Sequence, residues 1–111
     1  MTRIFVVSST DERAWRYEAR FAMGTDLREP RFLSLNGRLF LYVSRLGTNS
    51  LSFDPQGVSV TERGADGAWS ALDPVYQPGY LLWRARVERG TAYLFAYLHG
   101  ENEYLFNGLP L

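Results

Sequence analysis

Along this chain apolar and polar residues alternate instead of recurring every third or fourth position, and a period of two predicts strands. In residues 15–21 the apolar Trp15, Tyr17, Ala19 and Phe21 alternate with Arg16, Glu18 and Arg20, so a pleated strand sends the two sets to opposite faces. Residues 82–88 repeat the rhythm, with Trp83, Ala85 and Val87 against Arg84, Arg86 and Glu88. Both segments read as half-exposed strands. Residues 39–43 and 92–98 are nearly continuous apolar and aromatic runs, which predicts strands covered on both faces. Asn36-Gly37, Asp66-Gly67 and Arg89-Gly90 punctuate these runs as tight hairpins, and longer connections rich in Gly, Pro, Asn and Asp occupy 22–30, 46–57 and 73–80. No helical period appears between suitable caps, so no helix is expected.

The second half of the chain replays the first at a spacing of 53 to 54 residues. Trp15 recurs as Trp69, and residues 31–47 align without a gap on 84–100, which sets Gly37 on Gly90, Phe40 on Tyr93, Leu41 on Leu94 and Tyr42 on Phe95. A repeat of this length filled with strand signals is the sequence form of a propeller blade. The predicted fold is all-β, made of four-stranded antiparallel blade-like sheets and incomplete as a single chain. Residues 1–21 supply the outer strands of one blade (3–9 and 15–21). Residues 22–75 supply a complete blade, with strands near 31–35, 38–45, 57–62 and 68–72. Residues 76–111 supply the inner strands of the next, at 82–88 and 91–98, with a further start at 103–106. Unpaired edges at both ends predict closure by a head-to-tail homo-oligomer or by flanking blades. A monomer would instead make two small antiparallel sheets packed face to face, each only partly covered.

Composition narrows the function classes. Twelve basic residues balance 12 acidic ones and neither sign is clustered, so neither a nucleic-acid nor an anionic membrane partner has electrostatic support. All the basic residues are arginine; this reads first as nucleotide bias, and second as recognition of sugars, carboxylates or phosphates by planar guanidinium groups. The chain has no cysteine and one histidine, His99, so no disulfide framework, metal site or cofactor is expected. No stretch has the length of a signal-peptide core or a membrane span.

Several segments together resemble the sialidase-like and related glycosidase-like β-propellers. They are Asp26-Leu27-Arg28-Glu29-Pro30 ahead of an inner strand, Leu35-Asn36-Gly37-Arg38-Leu39-Phe40-Leu41-Tyr42, Ala65-Asp66-Gly67-Ala68-Trp69-Ser70, and Trp83-Arg84 followed by Gly90 and Tyr93. In that superfamily the turn between the outer strands often carries an Asp-box, Ser-x-Asp-x-Gly-x-x-Trp. Residues 9–15 are a degenerate copy, lacking the glycine and one residue short between Asp11 and Trp15, and Asp66-Gly67 with Trp69 is shorter still. The box is structural: a short acid hydrogen-bonds its own turn and the tryptophan packs between blades. Asp11, Asp66, Trp15 and Trp69 are therefore expected to be turn and core residues.

Strand direction then sorts the loops. The connections at 22–30, 46–57 and 73–80 share one end of the sheets, and the tight hairpins share the other. Candidate chemistry falls at the long-loop end. Glycoside hydrolysis uses paired carboxyl groups, with a tyrosine nucleophile in sialidases. Asp26 and Glu29 are the acid/base candidates, Arg28 and Arg84 the candidates for gripping a sugar carboxylate, and Trp83 the stacking platform. The plainer readings are an inter-blade ion pair for the Arg-Glu residues and a core position for Trp83. Tyr97 and Tyr104 are the available tyrosines, Glu101 and Glu103 lie beside the same loops, and a full sialidase arginine triad cannot be placed. The implied function is a partial glycosidase-like propeller with a carbohydrate-facing surface and no complete catalytic site; the alternative is a lectin-like or protein-interaction repeat that assembles by oligomerisation.

Overall fold

The computed structural model describes residues 2–47, 55–75 and 79–98; the strand start expected at 103–106 lies outside them. Every regular element among the described residues is a strand: β1 (Ile4–Ser8), β2 (Arg16–Phe21), β3 (Leu27–Leu35), β4 (Arg38–Leu46), β5 (Pro55–Arg63), β6 (Asp73–Pro74), β7 (Tyr80–Glu88) and β8 (Thr91–Leu98). All pairings are antiparallel. They form a two-stranded sheet β1-β2, a four-stranded sheet β3-β4-β5-β6 and a two-stranded sheet β7-β8. The chain is thus all-β, and among the described residues its sheets close into neither a barrel nor a ring.

The repeat is visible in the backbone. β7 starts and ends 53 residues after β3. The β3-β4 turn has φ 52° at Asn36 and 75° at Gly37, and the β7-β8 turn has 49° at Arg89 and 77° at Gly90. Two successive positive φ values make the turn type whose twist matches the strands it joins, and the glycine in each adopts it without strain.

β4 is covered on both faces, as its apolar run predicts. Leu41 and Val43 join Val6, Phe21 and Leu27 in the main core cluster, on the side of the β1-β2 hairpin. Ser44, next along the strand, points the other way, and its Oγ accepts a hydrogen bond of 2.9 Å from the Leu82 N–H of β7. Neighbours on a strand face opposite sides, so the two terminal hairpins sit on opposite faces of the central sheet. β7 crosses obliquely: Gly79 N–H donates to Pro55 O at the start of β5, Leu82 meets Ser44 on β4, and Trp83 O accepts from Arg31 on β3.

β8 breaks the expectation of a strand covered on both faces. Tyr93, Phe95 and Leu98 are about half exposed or more (49%, 50% and 55%), because β8 pairs only with β7 and forms the edge of its sheet. An apolar run signals that a strand prefers cover without stating what supplies it.

Four register shifts interrupt the described ladders, one of them between Arg45 and Leu46 of β4, and the other three correct the simple alternation. Val6 faces Ala19 but Val7 faces Tyr17, so Glu18 is an extra residue in β2. The phase flips there: Ala19 and Phe21 point inward with Glu18, whereas Tyr17 is exposed and so is Trp15, at 63% and 60%. Trp15 is therefore not a core residue. In β7, Leu82 faces Ala96 and Arg84 faces Phe95, leaving Trp83 as the extra residue, 60% exposed and outside the core. In β3, Arg28 faces Ser44 and Arg31 faces Tyr42, which sets Glu29 and Pro30 against one residue, with Glu29 at φ 53°.

The strand expected at 68–72 is reduced to a single bridge, Arg63 to Trp69, and the two-residue β6. Ser70 carries much of what pairing remains: its N–H donates to Glu62 O at 3.0 Å, its Oγ accepts from Glu62 N–H at 3.0 Å, and its carbonyl accepts from Thr61 Oγ1 at 2.6 Å.

Candidate functional site

The described ends of the long connections gather at one end of the central sheet. Leu46 N–H donates to Asp26 O at 2.8 Å, joining the entry of β3 to the exit of β4, and Gly79 N–H donates to Pro55 O at 2.9 Å, joining the entry of β7 to that of β5. Beside this end lie most of the candidate residues. Arg28 Nη2 donates to Asp26 Oδ2 at 3.2 Å, and Asp26 Oδ1 accepts from Thr2 N–H at 2.8 Å. The Thr2 hydrogen bond first, and Arg28 after it, hold the Asp26 carboxyl below its ordinary range against the opposing effect of desolvation.

Glu29 and Trp83 are connected through a residue the sequence did not nominate. Arg31 donates from Nη2 to Glu29 Oε2 at 3.1 Å, from Nη1 to Pro30 O at 2.9 Å and from Nε to Trp83 O at 3.2 Å. The Trp83 ring meets Tyr97 edge-on, with centroids 6.1 Å apart. Arg84 stands across from Phe95 on the hairpin, outside this chain of contacts. In the sequence Arg31 is only the first residue of an expected strand at 31–35, and nothing local marks its partner, which lies 52 residues away. His99, Glu101, Glu103 and Tyr104 lie outside the described residues.

At the opposite end Asp11 and Asp66 each accept hydrogen bonds from their own turn backbone. Asp11 Oδ1 accepts from the N–H groups of Arg13 and Ala14 at 2.8 and 3.0 Å and from Ser9 Oγ, which holds its carboxyl below the ordinary range. The positive φ falls on Glu12 (64°), one position before the place the box glycine would occupy. In the second turn Asp66 Oδ1 accepts from Ala68 N–H at 3.0 Å. Trp69 packs between Phe21 and Phe32, at 6.4 and 6.2 Å between centroids, and so joins the β1-β2 hairpin to the central sheet.

The bulged Glu18 completes that junction. Its side chain, 9% exposed, accepts from Ser8 Oγ at 2.7 Å, Trp69 Nε1 at 3.1 Å and Arg63 Nε at 3.1 Å. These bonds, Ser8 first, lower its pKa from 4.5 to about 2. Glu18 reads as a solvent-facing member of an alternating strand, and only the bulge turns it inward.

Two depressions flank the central sheet. One, of about 210 Å³, is apolar and lies between the sheet and the β7-β8 hairpin, lined by Val58, Val75, Tyr80, Leu82, Leu94 and Ala96. The other, of about 420 Å³, lies at the hairpin end beside Gly37, Arg38, Glu62 and Arg63. There Arg38 donates twice to Glu62, at 2.7 and 2.8 Å, so its guanidinium is committed within the sheet. No group of acidic, histidine or cysteine side chains that could hold a metal ion occurs among the described residues, and no helix there is long and apolar enough to cross a membrane.

No protein-family model, no curated protein and no solved structure matches the chain.

Proposed function

We propose that this chain is a segment of a sialidase-like, glycosidase-like β-propeller that presents a carbohydrate-facing surface and binds without hydrolysing. The observation that carries the reading is the exposed Trp83, an aromatic face on a bulge, tied through Arg31 to the Glu29–Arg31 ion pair, with Arg28, paired to Asp26, on the same strand as Arg31. An exposed indole offers a stacking plane for a sugar ring, and adjacent guanidinium groups offer donors to hydroxyls or to a sialic acid carboxylate. Binding is favoured over turnover because a general acid must keep its proton near neutral pH, and Asp26 is held in the opposite direction. Glu29 is engaged by Arg31. The test is titration of the protein with sialyllactose and neutral oligosaccharides by calorimetry, alongside fluorogenic sialosides as substrates. Saturable binding that Trp83→Ala abolishes, without turnover, is the expected result; no binding at millimolar ligand would overturn the reading.

The blade assignment rests on the repeat. β7-β8 is the counterpart of β3-β4, and shifted by the same repeat β1-β2 overlies β5 and β6. The chain thus carries one sheet and two complementary halves. Since β4 pairs with β5, the matching pairing is β8 of one copy with β1 of the next. The exposed Phe5, Val7, Tyr17, Tyr93, Phe95 and Leu98 all lie on these two hairpins and favour a head-to-tail assembly as the second reading. Gel filtration with light scattering tests it: oligomers that dissociate when Phe95→Lys is introduced support it, and a monomer at 100 µM, roughly the range where weak strand-edge pairing populates complexes, argues against it.

A further inference from the structure

We infer that Arg31 is the positioning residue for Trp83, holding the indole where the carbohydrate surface proposed above requires it; the inference rests on that reading for its function and on geometry for its structure. The bulges of β3 and β7 occupy equivalent places in the repeat, since Pro30 aligns with Trp83 at 53 residues. A bulge takes its residue out of the regular ladder. Two bulges in separate sheets therefore bring backbone carbonyls together that need donors from elsewhere, and a single guanidinium supplies them. Nη1 of Arg31 donates to Pro30 O and Nε to Trp83 O, while Nη2 holds Glu29, whose backbone sits at φ 53°.

The arrangement fixes Trp83 from two sides. Its carbonyl is tied to β3 by Arg31, and its ring rests edge-on against Tyr97 at 6.1 Å and 65°. With the peptide and the ring both held, the exposed indole meets a ligand without first losing rotamer freedom. Only a planar fork with donors in several directions reaches three acceptors on two strands. A lysine ammonium carries the same charge but lacks that fixed geometry, so Arg31→Lys is not a conservative change here. Arg28 and Arg84 do not take part, the first being turned to Asp26 and the second lying across from Phe95.

The test uses the full chain and the indole N–H resonances of its three tryptophans, assigned with Trp83→Phe and Trp15→Phe. In Arg31→Ala and Arg31→Lys the Trp83 indole signal shifts and broadens, while that of Trp69, bound to Glu18, stays in place. Affinity for sialyllactose falls about tenfold in both variants. An unmoved Trp83 signal, or full rescue of affinity by lysine, overturns the inference. Should Arg31→Ala unfold, Arg31→Lys decides. Failure of the wild-type chain to bind any glycan would sink the carbohydrate reading and leave the resonance measurement to decide the role of Arg31.

Discussion

Ser44→Ala tests whether the β7-β8 hairpin is seated on the central sheet as described. Ser44 is fully buried, and its Oγ is the acceptor for the Leu82 N–H at 2.9 Å, beside the bulge at Trp83. Leu82 is itself 1% exposed, so water does not readily replace the hydroxyl. Alanine has nearly the same volume but no acceptor. The main cost is therefore a buried N–H left without its partner, about 1–3 kcal/mol. A domain of this size has about 5–15 kcal/mol in total, so the loss is a large share of it. At about 4–8 °C per kcal/mol the melting temperature falls by roughly 4–24 °C. Urea unfolding followed by circular dichroism gives the free energy, and amide exchange at Leu82 gives the local effect. The exposed Ser34→Ala in the same sheet serves as control and stays within about 0.5 kcal/mol of wild type. If Ser44→Ala matches that control and Leu82 exchanges equally fast in both proteins, the hairpin does not rest on β4 through this bond.

Glu18→Gln lowers stability near neutral pH and flattens its acid dependence. Because the folded pKa of Glu18 is depressed from 4.5 to about 2, its contribution is present above about 4.5 and is lost as pH falls toward 2; urea midpoints between pH 2 and 5 should show wild type losing stability along a slope that the variant lacks. Trp69→Ala removes the packing between Phe21 and Phe32 and costs about 3 kcal/mol, whereas Trp15→Ala, at a position 60% exposed, costs about 0.5 kcal/mol or less, as chemical denaturation will read directly. Arg89→Asn gives the β7-β8 turn the Asn-Gly pair already used by β3-β4 at nearly the same φ, 49° against 52°, and raises stability by about 0.5–1 kcal/mol in the same assay.

Strand existence was legible because it depends on local chemistry. Asn36-Gly37 and Arg89-Gly90 fix two hairpins from adjacent residues alone, and the alternating and apolar runs between them follow from which faces need cover. Burial was less legible, since β4 and β8 carry the same apolar pattern but only β4 has a layer on each side. That difference is set by partners far away in the chain. Bulges were invisible for a related reason: one extra residue leaves composition unchanged yet reverses the side every neighbour faces. It turned Glu18 inward and Tyr17 and Trp83 outward.

The candidate site divides along the same line. Asp26 and Arg28 are two residues apart, and a contact between them is within reach of sequence reasoning. The contact between Arg31 and Trp83 spans 52 residues and exists because both strands bulge at matching points of the repeat. A bulge is a local loss of ladder pairing, and its recurrence 53 residues later is not required by hairpin formation, which β1-β2 achieves with its own bulge elsewhere. What the paired bulges do accomplish is to bring two carbonyls from neighbouring sheets within reach of one guanidinium. The repeat therefore does more than duplicate a strand pattern: it duplicates an irregularity, and the contact made across the two copies holds Trp83, the exposed tryptophan on which the functional reading depends.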